Sequence, residues 1–135
     1  MRHKTCRLFL AASCCCVLPL STAGCESASD RVQINVQSLV SDARDGSLLA
    51  EQIDSGRAGA IFARAHAQEL QDDADQVQKN VHDQQVPGHE AIEQLADQIG
   101  TALGNLAVSP DDPSVAQEAR RSLDQLAEKA SRMAS

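Results

Sequence analysis

The sequence predicts an all-α protein, an antiparallel up-down bundle of four helices, or of three with the first held loosely. Three observations carry this expectation. Apolar residues recur at three- and four-residue spacing through most of residues 29–134, the rhythm of one buried helix face. The breaks in that rhythm fall at Gly- and Pro-containing sites near residues 55, 87 and 110, where helices stop. The segments left between the breaks are joined by short connections of about three to five residues, which suit antiparallel neighbours.

The first helix is expected over about residues 29–54. Ser29 or Asp30 can cap it, since a short polar side chain there accepts a bond from a free backbone N–H. Val32, Val36, Leu39, Val40 and Ala43 follow at helical spacing. Residues 32–36 also alternate apolar and polar as a strand would, so the first turns read both ways. Asp45 and Gly46 interrupt the stripe, yet Leu49 and Ile53 resume it. One helix with room for a kink at the glycine is the reading. Ser55 and Gly56 end it, glycine tolerating the left-handed backbone of a C-terminal cap.

Residues 57–85 give the longest helical signal. Ala63, Leu70 and Val77 repeat every seven residues, and Ala67, Ala74 and Val81 repeat likewise between them. This is a heptad seam, with Ile61 and Phe62 thickening its start. Arg64, Gln68, Glu69, Asp72, Asp73, Asp75 and Lys79 fall on the solvent side. Val86, Pro87 and Gly88 form the clearest break. A third stripe over about residues 89–108 comprises Ile92, Leu95, Ala96, Ile99, Leu103 and Leu106. Gly100 and Gly104 lie within it, marking a close helix approach or a frayed end, and Glu90, Glu93 and Asp97 exclude a membrane span. Asp112 followed by Pro113 is a strong helix start. Ala116, Ala119, Leu123, Leu126, Ala127, Ala130 and Met133 then mark a fourth helix over about residues 112–134.

The core is thin. Residues 25–135 contain 23 Leu, Ile, Val or Phe and 18 Ala, so helices can approach closely but bury little area each. A bundle of modest stability follows, with a chain that completes its folding only on a partner as the alternative.

Residues 1–24 read differently. Arg2, His3, Lys4 and Arg7 form a basic head, residues 8–20 are uncharged and mostly apolar, and Ser21, Thr22, Ala23 and Gly24 are small. That order is the pattern of a secretory signal peptide. It is short for a transmembrane helix, which needs about 20 apolar residues, and Pro19 breaks it near its end. Thr22-Ala23-Gly24-Cys25 resembles the lipobox of bacterial lipoproteins, with Thr22 where Leu is usual. The resemblance implies cleavage before Cys25, a diacylglycerol on its thiol, and export to the periplasmic or extracellular side of a bacterial membrane. Cys14, preceded by Ala11, Ala12 and Ser13, is a rival site with few apolar residues ahead of it. The chain then divides into a leader (1–24), a lipidated cysteine and short tether (25–29) and an acidic bundle (30–135). The other cysteines, at 6, 14, 15 and 16, lie in the leader, so the remaining chain has no internal disulfide and no thiolate metal site.

Cleavage there removes three of the twelve basic residues (Arg2, Lys4, Arg7) and none of the nineteen acidic ones, leaving a net charge of −10. Nucleic acid is a poor partner for such a chain, and so is an anionic lipid surface. A protein partner with a basic surface suits it. Residues 25–135 hold no Trp, no Tyr and one Phe, which disfavours base stacking and sugar stacking.

Chemistry is sparsely represented. His66 with Glu69 and His89 with Glu93 have helical spacings that can bind a divalent cation, but each pair occurs once, and a structural role is the plainer reading. No Gly-x-Ser-x-Gly elbow and no phosphate-binding glycine loop is present, and Asp72-Asp73 and Asp111-Asp112 are adjacent acids on a solvated face or at a cap. The expectation is a lipid-anchored, non-catalytic interaction or structural module of the cell envelope that needs no cofactor. The alternative is a small binding protein holding a metal or an apolar ligand between its helices.

Overall fold

The computed structural model describes residues 27–85 and 88–135. These form four α-helices and no strand: α1 (Ala28–Asp54), α2 (Ala60–Gln84), α3 (His89–Val108) and α4 (Pro113–Met133). They make an all-α bundle in which each helix runs antiparallel to the next. The register is fixed by side chains between neighbours. Asp54, Glu51 and Ser47 of α1 meet Gln117, Arg120 and Asp124 of α4 in descending order. Arg64 near the start of α2 reaches the Ala107 carbonyl at the end of α3, while His82 at the end of α2 meets Glu93.

The four helices are not evenly packed. α1 lies closely on α4 and α2 closely on α3, whereas the α1/α2 and α3/α4 seams are looser. α1 and α3 touch across the centre, and α2 and α4 do not meet. The bundle is therefore two tight helix pairs laid together, with α1 and α3 on the short diagonal. Both links between the pairs, residues 55–59 and 109–112, lie at one end.

Composition explains that diagonal. α3 carries Ile92, Leu95, Ile99, Leu103 and Leu106, and α1 carries Val36, Leu39, Leu49 and Ile53, all buried. α2 and α4 contribute more alanine to the same core: Ala63, Ala67 and Ala74 beside Leu70, Val77 and Val81 from one, and Ala116, Ala119, Ala127 and Ala130 beside Leu123 and Leu126 from the other. Large side chains fill the centre and small ones let the outer helices close on it, as dense packing requires. The two heptad sets of α2 are buried along their whole length.

Several local features differ from the sequence reading. Ser27 caps α1, not Ser29 or Asp30. Its hydroxyl accepts from the Asp30 N–H at 3.1 Å while the Asp30 carboxylate accepts from the Ser27 N–H at 3.0 Å. This reciprocal box satisfies two free donors and holds the Asp30 carboxyl below its ordinary range through the Ser27 side-chain and backbone bonds. Residues 32–36 are helical, since their apolar side chains serve the 3.6-residue stripe. α2 begins three residues later than expected, because Arg57 and Ala58 bond back to the end of α1 and Gly59 is the N-cap of α2. The Arg57 and Ala58 amides donate to the Gln52 carbonyl, and the Arg57 guanidinium bonds Ser55 and Glu51. Ile61 and Phe62 do not thicken the seam: Ile61 is 90% exposed and Phe62 is also exposed, because both precede the buried stripe that starts at Ala63.

Gly46 lies within the single helix that the sequence reading expected for α1. α1 runs through Asp45 and Gly46 without a break in its helix. A Cβ on Gly46 would stand 2.5 Å from Leu103 Cδ2 and 3.0 Å from Leu123 Cδ1. The glycine is there because three helices converge on it. Gly100 and Gly104 mark the close approach considered for them, lying under Asp75 and Gln71 of α2, with the nearest atoms 3.4 and 3.3 Å from an added Cβ. Gly56, at φ +68°, supplies the left-handed residue after α1. Asp112 caps α4 as the Asp-Pro pair suggested, accepting from the Ser114 N–H at 2.8 Å.

Two substitutions separate these glycines. Gly46→Ala is expected to lose about 1–2 kcal/mol, overpacking outweighing the better helix propensity. Gly100→Ala meets only a movable carboxylate and is expected to be neutral or to gain up to about 1 kcal/mol. Urea titration followed by circular dichroism measures both, and it should show one cooperative transition for the parent chain.

Candidate interaction surface

Cys25, the expected lipidation site, lies outside the described residues. The described chain begins its first helix at Ala28, so only Glu26 and the capping Ser27 separate Cys25 from the bundle, a span of about 7 Å when extended. Ala28 and Ser29, expected to lie in a tether, are the first residues of α1. Among the described residues no helix is long and apolar enough to cross a membrane.

The histidine–carboxylate candidates fall in two separate places. His66 Nδ1 lies 3.4 Å from Glu69 Oε2 on α2, with the imidazole stacked on Phe62 at 5.7 Å between ring centres. Glu93 pairs across the helix hairpin with His82, 3.2 Å away, while His89 sits at the first turn of α3. Each pair supplies two donor groups. Among the described residues no three His, Cys, Asp or Glu side chains converge on a point that could hold a metal. The geometry fits polar pairing, along α2 for His66 with Glu69 and between α2 and α3 for His82 with Glu93, and such partly exposed contacts contribute only a few tenths of a kcal/mol.

Polar burial is concentrated on α1, which carries Asn35, Asp42 and Ser47 inside the bundle. Ser47 donates to the Asp124 carboxylate of α4. Glu51, one turn further on, accepts from Arg57 at 3.2 Å and lies 3.4 Å from Arg120, tying α4 and the α1–α2 connection to one carboxylate. Asp42 is different. It is 6% exposed, and its Oδ2 is buried without a hydrogen-bond partner. Burial, with Asp73 of α2 and Asp45 nearby, pushes its carboxyl up to about 7. Nothing in the residue pattern singles it out, because its place on the α1/α2 seam depends on how the helices meet.

The feature best shaped to receive another molecule is a groove between α3 and α4, about 840 Å³ and open along one side. It exists because this seam is loose. Ala102, Ala119 and Leu126 form its floor, with Val108 and Val115 at one end. Val108 is 78% exposed. Asp97 and Gln98 of α3 face Lys129 and Arg132 of α4 at the other end, where Lys129 Nζ donates to Gln98 Oε1 at 3.4 Å. The charges lining it are two acids, Asp97 and Glu118, and two bases, Lys129 and Arg132. On a chain this acidic, a balanced groove stands apart. Sequence reasoning placed Ala102, Ala119 and Leu126 in or near the apolar stripes but could not see that the stripes of α3 and α4 fail to close on each other. The one available signal was Val108, an apolar residue off the α3 stripe.

No protein family, no curated protein and no solved structure matches the chain.

Asp42 makes stability depend on pH with a definite sign. Its folded value lies above the ordinary 3.8, so the folded state holds the proton more tightly than the unfolded chain. The protonated carboxyl is favourable below about pH 4, and that advantage disappears as pH rises to about 7. Unfolding free energy is expected to fall by about 2–4 kcal/mol over this window on account of Asp42. Asp42→Asn should flatten the slope and stabilise the protein at pH 8 by about 1–3 kcal/mol. Urea titrations at pH 5 and pH 8 measure the difference.

Proposed function

We propose that the chain is a lipid-anchored, non-catalytic interaction module of the bacterial cell envelope, bearing acyl chains on Cys25 and docking a protein in the α3/α4 groove. The observation that carries the reading is the groove itself, a concave surface with an apolar floor and polar rims on a bundle whose core is otherwise filled. Interfaces of this kind combine an apolar centre with a polar rim. Location rests on the leader, on the lipobox-like residues ending at Cys25, and on the nearness of Cys25 to Ala28, which would hold the bundle against the headgroups. With α1 about 40 Å long, the end bearing Ile61, Phe62 and Val108 would be presented away from the membrane. The net charge of −10 outside the leader would steer a basic partner toward the bundle from beyond contact distance.

A second reading is favoured by the size of the groove, which falls in the range of small-molecule sites: a binder of an apolar ligand laid along Ala102, Ala119 and Leu126. An apolar ligand would raise the melting temperature of the purified protein when envelope lipids are added. A protein-docking module would not respond.

Mass spectrometry of the native N-terminus tests the anchor. Acylated Cys25 is expected, and a free Met1 or unmodified Cys25 would overturn it. Ser122→Arg, placed at a half-buried position in the groove, is expected to keep the helical circular dichroism and to abolish cross-linking to protein in cells. Unchanged cross-linking would remove the groove from the function.

A further inference from the structure

We propose that the α1/α2 seam is a latch held by a proton on Asp42. With that carboxyl protonated, the α2–α3 hairpin is closed on α1 and α4. With it ionised, the hairpin swings away about residues 55–59 and 109–112. The latch belongs to the bundle itself and stands whether or not the α3/α4 groove docks a protein.

The topology supplies the hinge. Both covalent links between the tight pairs lie at one end, so the α2–α3 hairpin is hung from α1 and α4 there and held elsewhere by side chains. Hydrogen bonds tie each pair together: Ser47 to Asp124 and Gln117 to Asp54 in one, Arg64 to the Ala107 carbonyl and His82 to Glu93 in the other. Units joined more weakly to each other than within themselves open as units. α1 meets α3 at Gly46, against Leu103, about 12 Å from the end of α1. That contact is the fulcrum. Beyond it lie residues 28–42, where α1 buries two polar side chains seven residues apart, Asn35 and Asp42. Polar groups there make the free half of the seam its weak half.

Asp42 is where charge acts on that half. Its Oδ2 is buried with no hydrogen-bond partner, and the charged groups that act on it are acids, Asp73 of α2 and Asp45 of α1. Charges on the surrounding elements are directed elsewhere. Arg44 opens onto a shallow pocket beside Ser131 and Ser135, and Asp75 of α2 lies over Gly100. On α3, Glu93 meets His82 and Asp97 lines the groove. On α4, Asp124 accepts from Ser47 and Lys129 donates to Gln98. A proton on Asp42 keeps one of three neighbouring carboxyls neutral in the closed seam. Its loss leaves a buried anion facing Asp73 and Asp45, which is costly. Opening hydrates Asp42 and moves it away from Asp73. Burial and those acids raise the carboxyl to about 7 in the closed form. The ratio of open to closed chains therefore rises about tenfold per pH unit from about pH 4 to about pH 7 and then levels off.

Double electron–electron resonance on the full-length chain, its five cysteines changed to serine, tests the latch. One pair of spin labels, on Gln33→Cys of α1 and Gln84→Cys of α2, spans the seam near its free end, and both positions are exposed. A second pair, on the exposed Ser41→Cys and Glu128→Cys, spans the tight α1/α4 contact. The Gln33–Gln84 pair is expected to give one short distance at pH 5. At pH 8 a second population longer by about 5 Å or more is expected, because a swing of about 15° at Gly46 moves Gln33, about 20 Å away, by that much. Far-UV circular dichroism and the Ser41–Glu128 distance should not change. Asp42→Asn should hold the short distance at both pH values. An unchanged Gln33–Gln84 distance at pH 8 overturns the latch. So does lengthening that survives Asp42→Asn, which keeps every histidine and would assign the response to them. Lengthening of both pairs with loss of helicity also overturns it, because the chain is then unfolding as a whole.

Discussion

The approach of α1 to α3 at Gly46 is the constraint on which the rest of the bundle depends. Leu103 and Leu123 occupy the space that any larger residue at 46 would need. With that space filled, α1 and α3 form the short diagonal, and α2 and α4 are kept apart on either side. The alanines of α2 and α4 then become useful. A bundle centred on two larger-residue helices can be closed by small-residue helices without leaving voids, so a chain with few large apolar residues still makes one contiguous core. Glycine inside a helix costs about 1 kcal/mol in propensity. Here that cost is offset by the packing it permits.

From the same arrangement come two unequal pairs of seams. α1/α4 and α2/α3 are close, and the seams between those pairs are where unusual features collect. On one side Asp42 is buried beside Asp73 with an unpartnered oxygen. On the other, α3 and α4 stand far enough apart to leave an open groove. Burial and the nearby acids Asp73 and Asp45 favour the protonated form of the carboxyl on the one loose seam, and a groove persists on the other because Ala102 and Ala119 project too little to fill it. The tight pairs carry the ordered ladder of Ser47–Asp124, Glu51–Arg120 and Asp54–Gln117 instead. Function, on the reading proposed above, belongs to the loose seam, while the tight pairs supply a rigid frame for it.

Helix existence and most of the buried face were legible in the residues. The heptads of 63–81, the stripe of 92–106 and the Asp112–Pro113 start all reappear in the structure, because each depends on neighbours within a turn or two. Errors arose where a residue's role depends on another helix. Ile61 and Phe62 read as core until the seam is seen to begin at Ala63. Glu93 pairs with His82 across the hairpin, a contact that spacing along one helix cannot reveal.

The sequence by itself determined the helical class, the number and order of the helices, and the composition that follows if the chain is cut before Cys25. Those properties are local, or additive over residues, and need no knowledge of which helix lies beside which. Tertiary structure alone decided that α1 and α3 meet at the centre, that Asp42 is buried and that α3 and α4 leave a balanced groove. Each of these depends on how side-chain volumes from different helices fit together in three dimensions, and a one-dimensional pattern of apolar residues does not contain those volumes' relative positions.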